Sequence, residues 1–413
     1  MRKALSVLLA ATILVTLAAC KNDKKNDDAS ADSQLPVTSA LPNATDSQTP
    51  AAPQGNETEP LHSAVFDGDL PLMDFGYEPS EDPFSRLAYD FAYIVTMHEP
   101  LTQLMTDIYA DIGKKLNFTI TSYSSYRNTD IFVSLIEDKA EKAVDAMIID
   151  GDIYVQDRIL ETTDELGIVY MPGSSPLIAQ DGKYLMPSAV MDSSKMGEEC
   201  AGYMLDFYEQ HTGAALEAAK TGFITIGYDA NSDYRTRRNG AAGAFRTRFP
   251  AYYSSNYFAL DTAGEQSLAT SEAAYNCVEA LVAENPQFES WLIFGVADVF
   301  ADGASRAIDD AGLGNVSLVT CVGMDLLGKR WDSGYDGCWV AAAVTPPVQQ
   351  AHAVISGLLL LLESNATAES LWLRHRSYGQ NYAVIKLPFS IVHKEVYSDY
   401  LAAVDRYTEG LFS

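Results

Sequence analysis

Two charged residues have the chemistry and the spacing to hold a polar ligand. Arg237 lies in the first turn of a predicted helix that follows a predicted strand, where its guanidinium can donate two parallel hydrogen bonds to ligand oxygens. Asp325 follows the apolar run SLVTCVGM, where a carboxylate can accept hydrogen bonds from two adjacent hydroxyl groups. Each residue also has a simpler interpretation. Arg237 could be a solvated arginine, since Arg235 and Arg238 are close by, and Asp325 could cap a turn or a helix.

No catalytic motif accompanies these two residues. The sequence has no G-x-S-x-G, no G-x-x-x-x-G-K-[ST], no H-E-x-x-H and no G-x-G-x-x-G after a strand, and none of its 6 histidines pairs at the spacing of metal ligands. We therefore expect no cofactor, no metal ion and no enzymatic activity. The alternative is an enzyme that cleaves glycans, which needs two carboxylates about 5–10 Å apart. Glu99 and Asp325 are the pair that could meet for that reaction.

The elements that would position these side chains alternate between strands and helices. This alternation predicts an α/β fold with parallel sheets covered by helices on both faces. The rhythm occurs twice, so we predict two doubly wound parallel-sheet lobes joined by a hinge, with a ligand cleft at the carboxyl ends of the strands. The predicted strands are 92–97, 118–123, 144–149, 168–171, 221–228, 257–260, 290–294, 317–322 and 338–345, and the predicted helices are 101–116, 131–143, 157–166, 194–209, 237–248, 267–284, 299–311 and 348–364.

The first 19 residues have the pattern of a secretory signal peptide. A basic start precedes an apolar run that is shorter than the roughly 20 residues of a membrane span. The run ends in Leu17-Ala18-Ala19-Cys20, which resembles the lipobox of bacterial lipoproteins. This resemblance implies cleavage before Cys20, acylation of that cysteine and a periplasmic protein anchored in a lipid bilayer, and Lys21 favours the outer membrane. The alternative is an ordinary signal peptide.

Composition and rhythm divide the rest of the chain. Residues 20–60 contain almost no large apolar side chains and cannot offset the entropy of ordering, so we predict a flexible tether. Residues 61–87 gain Phe, Leu and Tyr without a clean period, and we predict an irregular arm packed on the domain. The predicted N-terminal lobe comprises 88–191 and 346–378, the C-terminal lobe comprises 192–345 and 379–413, and the three hinge crossings lie near Met191–Asp192, Asp325 and Thr345.

The charge of the chain restricts its partners. The 56 Asp and Glu residues against 28 Lys and Arg give a formal net charge of −28 over 413 residues. Nucleic acids and anionic membrane surfaces need a cationic face, so we expect neither to bind the domain. Because strong like charge opposes self-association, we expect a monomer.

Four cysteines follow Cys20. An even number in an exported chain permits two disulfides. All four lie in apolar stretches, however, where a free cysteine behaves as a small hydrophobic residue. We therefore expect buried free thiols, with Cys321–Cys338 as the disulfide to test. The four are Cys200, Cys277, Cys321 and Cys338.

Four stretches, in order along about residues 90–400, resemble the sugar-binding members of the type I periplasmic solute-binding protein family, such as the arabinose- and ribose-binding proteins. The resemblance implies the type I periplasmic-binding-protein fold, in which two lobes close on a small ligand by hinge motion. The stretches are Tyr93–Gln103 (YIVTMHEPLTQ), Arg237–Gly240 followed by Ala244-Phe245, Asn285–Asp298 followed by Gly303–Ala307, and Val322–Asp325.

The resemblance also implies binding roles for individual residues. Glu99 matches the ligand-facing loop after the first strand, with a surface turn residue as the alternative. Arg237 and Asp325 match ligand-binding segments of the second lobe, whereas Asp298 fits a helix cap better than a ligand contact. Ser174 lies where the arabinose-binding protein carries paired aspartates. The implied binding residues are Glu99, Ser174, Arg237 and Asp325.

Three polar positions of the family are lost in this chain. These losses argue against arabinose itself and favour a different sugar or a less polar molecule. Ala297 replaces a hydrogen-bonding asparagine, Gly173-Ser174-Ser175 replaces the aspartates, and Val95 or Thr96 replaces a lysine. Aromatic residues that could stack on a sugar ring, but fit core or surface positions as well, are Tyr234, Trp331 and Trp339.

These features together predict an extracytoplasmic solute-binding lipoprotein that captures a small polar ligand, with a sugar as the favoured class, for an ABC permease. One alternative is a ligand sensor that reports to a membrane histidine kinase. A second alternative is a structural lipoprotein with a degenerate, empty cleft, which the lost polar positions favour.

Overall fold

The computed structural model describes residues 64–79, 82–98, 100–151, 156–179, 181–229, 231–262 and 270–412. The predicted signal peptide, Cys20, the tether and Glu99 lie outside the described residues.

Strands and helices alternate along most of the described chain, as the sequence predicts. The strands are β1 (Tyr89–Val95), β2 (Phe118–Ser124), β3 (Ala146–Asp150), β4 (Tyr170–Pro172), β5 (Ser188–Met191), β6 (Thr221–Gly227), β7 (Tyr257–Asp261), β8 (Ser290–Gly295), β9 (Leu318–Val322), β10 (Trp339–Val344), β11 (Val384–Leu387) and β12 (Ser390–His393). The helices are α1 (Pro100–Leu116), α2 (Thr129–Glu141), α3 (Gln156–Leu166), α4 (Ser193–Thr212), α5 (Ser232–Arg248), α6 (Tyr253–Asn256), α7 (Ser271–Glu284), α8 (Asp298–Asp310), α9 (Asp325–Asp332), α10 (Pro347–Glu363) and α11 (Tyr397–Gly410).

The first sheet is buried on both faces. Its four parallel strands run in the order β2-β1-β3-β4. Phe91 and Tyr93 of β1 pack into one core with α1 and α10, whereas Ala92 and Ile94 pack into another with α2 and α3. Successive side chains of a strand point to opposite faces, so an uninterrupted apolar strand needs helices on both sides.

The second sheet repeats the arrangement of the first. Its order is β12-β10-β9-β8-β6-β7, and every neighbouring pair is parallel except β10 with β12. In each sheet the first strand, β1 or β6, lies between the second and the third strand of its lobe. This is the doubly wound order with one topological switch point per sheet. The predicted fold class, two doubly wound parallel-sheet lobes, is confirmed.

The connections between the lobes differ from the prediction at one of three places. The chain leaves the first lobe at Asp192, between β5 and α4, and returns at 345–346, between β10 and α10. The third crossing was expected near Asp325, but β9, α9 and β10 all belong to the second lobe. It lies at 388–389, because β11 pairs with β5 while β12 pairs with β10. Residues 384–387 therefore lie with the first lobe, not with the C-terminal lobe assigned to 379–413; the other lobe boundaries stay a prediction.

Helices α4 and α5 touch backbone to backbone. A Cβ atom on Gly240 would lie 1.9 Å from the carbonyl oxygen of Ser194, and one on Gly197 would lie 1.9 Å from that of Arg237. Two glycines at the crossing thus allow an approach that any side chain would block. The contact fixes α5, and with it the arginines that α5 carries, against the second lobe.

Cys200, Cys321 and Cys338 are buried free thiols, as predicted. The prediction was wrong for Cys277, which is buried but is not a free thiol. The Cys321–Cys338 disulfide is not formed: Cys321 Sγ donates to the Gly323 carbonyl at 3.0 Å, and Cys338 Sγ donates to that of Ser305 at 3.7 Å. In the part of the chain that the structure describes, no helix is long and apolar enough to cross a membrane. The apolar run in α10 is a helix packed in the first lobe's core.

Candidate functional site

The two topological switch points locate the candidate site. Ligands of doubly wound sheets bind outside the carboxyl ends of the strands that flank such a point. In the first lobe these are the ends of β1 and β3, where β3 finishes with Asp150. In the second lobe they are the ends of β6 and β8, followed by Asp229 and by Val296 to Asp298.

Asp150 is the centre of the first lobe's polar cluster. It is 7% exposed and accepts hydrogen bonds from Tyr93 OH (2.8 Å), from Ser174 Oγ (2.9 Å to each carboxylate oxygen) and from the Ser175 amide (2.7 Å). Burial, followed by the charge of Asp150, raises the pKa of Tyr93 well above its usual value. A Cβ on Gly173 would lie 2.6 Å from Asp150 Oδ2, so only glycine fits there. These donors compensate the buried carboxylate.

Ser174, a predicted binding residue, is thus attached to Asp150. Its hydroxyl donates to the carboxylate, which leaves its oxygen lone pairs as acceptors. The first lobe therefore presents an acceptor at this position.

Arg237 is one of two buried arginines on helix α5, and Arg238 is the other. Arg237 is 6% exposed, and its Nη1 donates to the Val296 carbonyl at 2.9 Å. Nε has no hydrogen-bond partner among the described residues, and no described carboxylate forms an ion pair with the guanidinium. A buried cation without a counter-charge is costly unless a ligand supplies the missing acceptors.

The position of Arg237 in its helix differs from the prediction. Helix α5 begins at Ser232, because the side chain of Asn231 accepts a hydrogen bond from the Tyr234 amide and caps the first turn. Arg237 therefore lies in the second turn instead of the first. Its guanidinium carbon is 5.4 Å from the centre of the Tyr234 ring, a cation–π contact.

Arg238 and Asp229 form a second polar pair at the end of β6. Arg238 is 6% exposed, its Nη1 donates to Asp229 Oδ2 and its Nη2 donates to the Leu260 carbonyl at 2.7 Å. The pKa of Asp229 is raised because burial outweighs the opposing charge of Arg238. Asp229 Oδ1 is buried and, within the described residues, has no hydrogen-bond partner. One carboxylate oxygen at the switch point is therefore left to accept a ligand hydroxyl.

Asp298 and Asp325 lie beside each other at the next strand ends. Asp325 is the first residue of α9 and is exposed, whereas Asp298 is half-buried at the start of α8. Asp298 Oδ2 accepts a hydrogen bond from the Leu326 amide at 3.1 Å, so it contributes to capping α9. The N-cap position of its own helix, α8, is Ala297. Burial, and to a lesser degree the charge of Asp325, raises the pKa of Asp298.

The predicted binding residues are thus distributed over both lobes. Ser174 lies in the first lobe, Arg237 and Asp325 lie in the second, and Glu99 is outside the described residues. Asp150, Asp229 and Arg238 were not predicted. The available signal for the two aspartates was an acidic residue directly after an apolar strand, which is where doubly wound sheets place ligand contacts. Nothing in the sequence distinguishes Arg238 from its neighbours Arg235 and Arg237.

The aromatic candidates separate into one surface residue and two core residues. Tyr234 is partly exposed and packs edge-on against Phe300. Trp331 and Trp339 are 7% and 1% exposed and belong to the core of the second lobe. Tyr126, which follows β2, is 72% exposed and has a left-handed backbone, with φ 53°. It was not predicted, and its exposure at a strand end makes it a further candidate for ring stacking.

One surface pocket lies away from the switch points. It has a volume of about 530 Å³ and is open to solvent between α8 and the end of α9. Arg330 in its wall forms an ion pair with Asp302 at 2.7 Å. No group of metal-ligating side chains occurs within the described ranges.

No protein-family model and no curated protein matches the chain. Solved structures do match its fold. A galactofuranose-binding protein has a TM-score of 0.59 at 12% identity, over 78% of this chain and 99% of that one. A periplasmic solute-binding protein of an ABC transporter from Actinobacillus succinogenes, with bound D-allose, has a TM-score of 0.56 at 19% sequence identity. The match covers 76% of this chain and 100% of that one. The 5-methylthioribose transporter solute-binding protein from Thermotoga lettingae has a TM-score of 0.57 at 16% sequence identity. The match covers 78% of this chain and 96% of that one. The chain is similar to these proteins in fold, that of type I periplasmic solute-binding proteins.

Proposed function

We propose that this protein is an extracytoplasmic solute-binding protein that captures a small polar ligand between its two lobes and delivers it to an ABC importer. Arg237 is the observation that carries the proposal. Arg237 is 6% exposed, and its Nε has no hydrogen-bond partner among the described residues. It lies at a switch point where such sheets bind ligands, so a ligand oxygen that accepts from Nε would complete its hydrogen bonds.

A sugar is the ligand class that fits these groups best. The second lobe offers a guanidinium that donates and a carboxylate oxygen of Asp229 that accepts, and vicinal hydroxyls use both. The proteins of similar fold described with D-allose and 5-methylthioribose support this class. In the first lobe Asp150 is already saturated, which favours a ligand with one polar and one less polar side.

Binding without chemistry is the mechanism we propose. A ligand that contacts both lobes stabilises the closed form over the open form by the difference in its affinity for the two. The closed form is then the state that a membrane partner recognises. Export through the predicted signal peptide and anchoring through Cys20 complete the proposal, since they would place the protein in the periplasm.

A thermal-shift screen of the protein against pentoses, hexoses, alkylthio sugars and non-sugar metabolites tests the proposal. A ligand at 100 times its dissociation constant adds about 2.7 kcal/mol to the free energy of unfolding, and should raise the melting temperature by a few degrees. A shift with one sugar class, followed by recovery of the unchanged sugar, supports it. No shift with any compound would favour the structural lipoprotein, and a converted sugar would identify an enzyme.

A further inference from the structure

Residues 64–79, which are part of the arm predicted over 61–87, contact both lobes. From here on, the arm means residues 64–79. At its start, the Ile391 amide donates to the Ala64 carbonyl at 2.5 Å and the Phe66 amide donates to the Ile391 carbonyl at 3.0 Å. Phe66 is 4% exposed, lies in the core of the second lobe and packs edge-on against Tyr400 with ring centres 5.4 Å apart. The start of the arm is therefore part of the second lobe.

The end of the arm is held by the first lobe. Phe75 is 1% exposed and packs edge-on against His352 of α10, with ring centres 4.7 Å apart. Its carbonyl accepts a hydrogen bond from Trp372 Nε1 at 2.9 Å. Two residues further on, Tyr77 OH donates to Glu363 at the end of α10 at 2.8 Å. Both aromatic side chains belong to the first lobe's core.

Between these two attachments the arm follows the hinge. Ile391 lies just past the crossing at 388–389. Gln349, just past the crossing at 345–346, donates to the Pro71 carbonyl at 3.0 Å. On α11, which contributes to both cores, Arg406 donates to the Gly68 carbonyl at 3.1 Å. The arm is thus a covalent link between the lobes, additional to the three crossings and to α11.

We propose that the arm is a strap that limits how far the two lobes open. Residues 67–74 connect the two attachments and are mostly exposed, so this segment can adjust to small changes in lobe angle. Because a chain of fixed length has a fixed maximum span, wider opening must pull Phe66 or Phe75 out of a core. The strap shifts the open–closed equilibrium whatever ligand the cleft holds.

Lengthening the strap tests this proposal without removing any packed side chain. Gly-Ser-Gly is inserted between Pro71 and Leu72, which are both exposed. Dyes are placed at exposed Glu137 on α2 and Glu284 on α7 through non-natural amino acids, and energy transfer reports the interlobe distance without ligand. We expect the mean distance to increase and its distribution to broaden. The matched control is the same insertion after exposed Gly213, in the loop that follows α4.

A second variant releases one attachment directly. Phe66→Ala should give the same shift to longer distances and should increase hydrogen exchange at the Ile391 amide, which bonds to Ala64. If Phe66→Ala does not fold, the insertion alone carries the test. An insertion variant whose distance distribution matches those of the wild type and the Gly213 control would overturn the proposal. The readout needs no ligand, so its failure is distinct from failure of the proposed function.

Discussion

Arg237 Nη1 donates a 2.9 Å hydrogen bond to the carbonyl oxygen of Val296, the residue that follows β8. This bond aligns the guanidinium with the carboxyl end of the second sheet while Nε stays without a partner in the described chain. The arginine is therefore oriented by the protein but only partly satisfied by it. A site prepared for a ligand has this character, because the final hydrogen bonds are left for the ligand to make.

Arg237→Met should separate stability from binding. Methionine has a similar length and removes an uncompensated buried charge, so the free energy of unfolding should stay within about 1 kcal/mol of wild type or rise. Urea denaturation measures it. A structural arginine would behave differently, since breaking a buried charge network costs about 3–5 kcal/mol.

Asp150→Asn should destabilise the first lobe. An amide places donor hydrogens where Tyr93, Ser174 and the Ser175 amide already donate, so we expect a loss of about 2–4 kcal/mol. Ser174→Ala removes one donor and should cost about 1 kcal/mol. If Ser174 also binds ligand, its alanine variant loses more affinity than stability. Denaturation and calorimetric titration of the same samples separate the two effects, and equal stability of Asp150→Asn and wild type would refute the assigned network.

Gly240→Ala should disrupt the α4–α5 contact, because the new Cβ would lie 1.9 Å from the Ser194 carbonyl oxygen. We expect a loss of at least about 2 kcal/mol. Gly243→Ala is the matched control on the same helix, since nothing lies within 4 Å of its Cβ position. Alanine is the better helix former, so this control should gain about 0.5–1 kcal/mol. Thermal denaturation measures the stability of both variants. A similar change in stability in the two would contradict the close packing of α4 against α5.

His352 should make stability depend on pH. Burial lowers its pKa from 6.5 to about 4, and its Nδ1 lies 3.0 Å from Tyr407 OH. Between pH 4 and 6.5 the unfolded chain binds a proton that the folded protein does not. The free energy of unfolding should therefore fall with decreasing pH, by at most about 3 kcal/mol over this interval. His352→Gln should lack this component. Urea denaturation at several pH values measures the free energy of unfolding of both proteins. Parallel pH profiles of the two would contradict the assignment.

Asp298 should change the pH dependence of stability in the opposite direction to His352. Burial raises its pKa above that of the unfolded chain, so the folded protein holds the proton more tightly. Stability contributed by this group is present at low pH and is lost as pH rises above about 4 through the raised pKa. Asp298→Asn keeps an oxygen to accept from the Leu326 amide and removes the titration. The stability of wild type relative to this variant should decrease as pH rises, and an increase would contradict the assignment.

The repeated strands could be predicted from sequence because both faces of each sheet are buried. Runs such as Ala146–Ile149 are apolar without interruption, and that pattern has few other interpretations. The start of α5 was missed because residues 231–236 are polar, and only Asn231 signals the cap. Strands β11 and β12 are short, and the crossing between them has no helix to announce it. The third crossing therefore could not be located before the pairing was known.

The candidate site was less predictable than the fold. Arg237 could be selected by its place after a strand, but its burial and its bond to Val296 depend on how α4 and α5 pack. Asp325 was selected on the same grounds and lies exposed beside Asp298. Long-range pairs such as Ser174 with Asp150 arise from the fold, and no local pattern in the sequence encodes them.

Calorimetric titration of the best sugar from the screen into three proteins tests the central claim most directly. Wild type is compared with Arg237→Met and with Arg246→Met, which removes an exposed arginine from the same helix. Arg237→Met should lose at least about 100-fold in affinity, about 2.7 kcal/mol, because two charge-assisted hydrogen bonds disappear. Arg246→Met should bind like wild type. Equal affinity in all three proteins would show that the ligand does not complete Arg237, and would contradict the account.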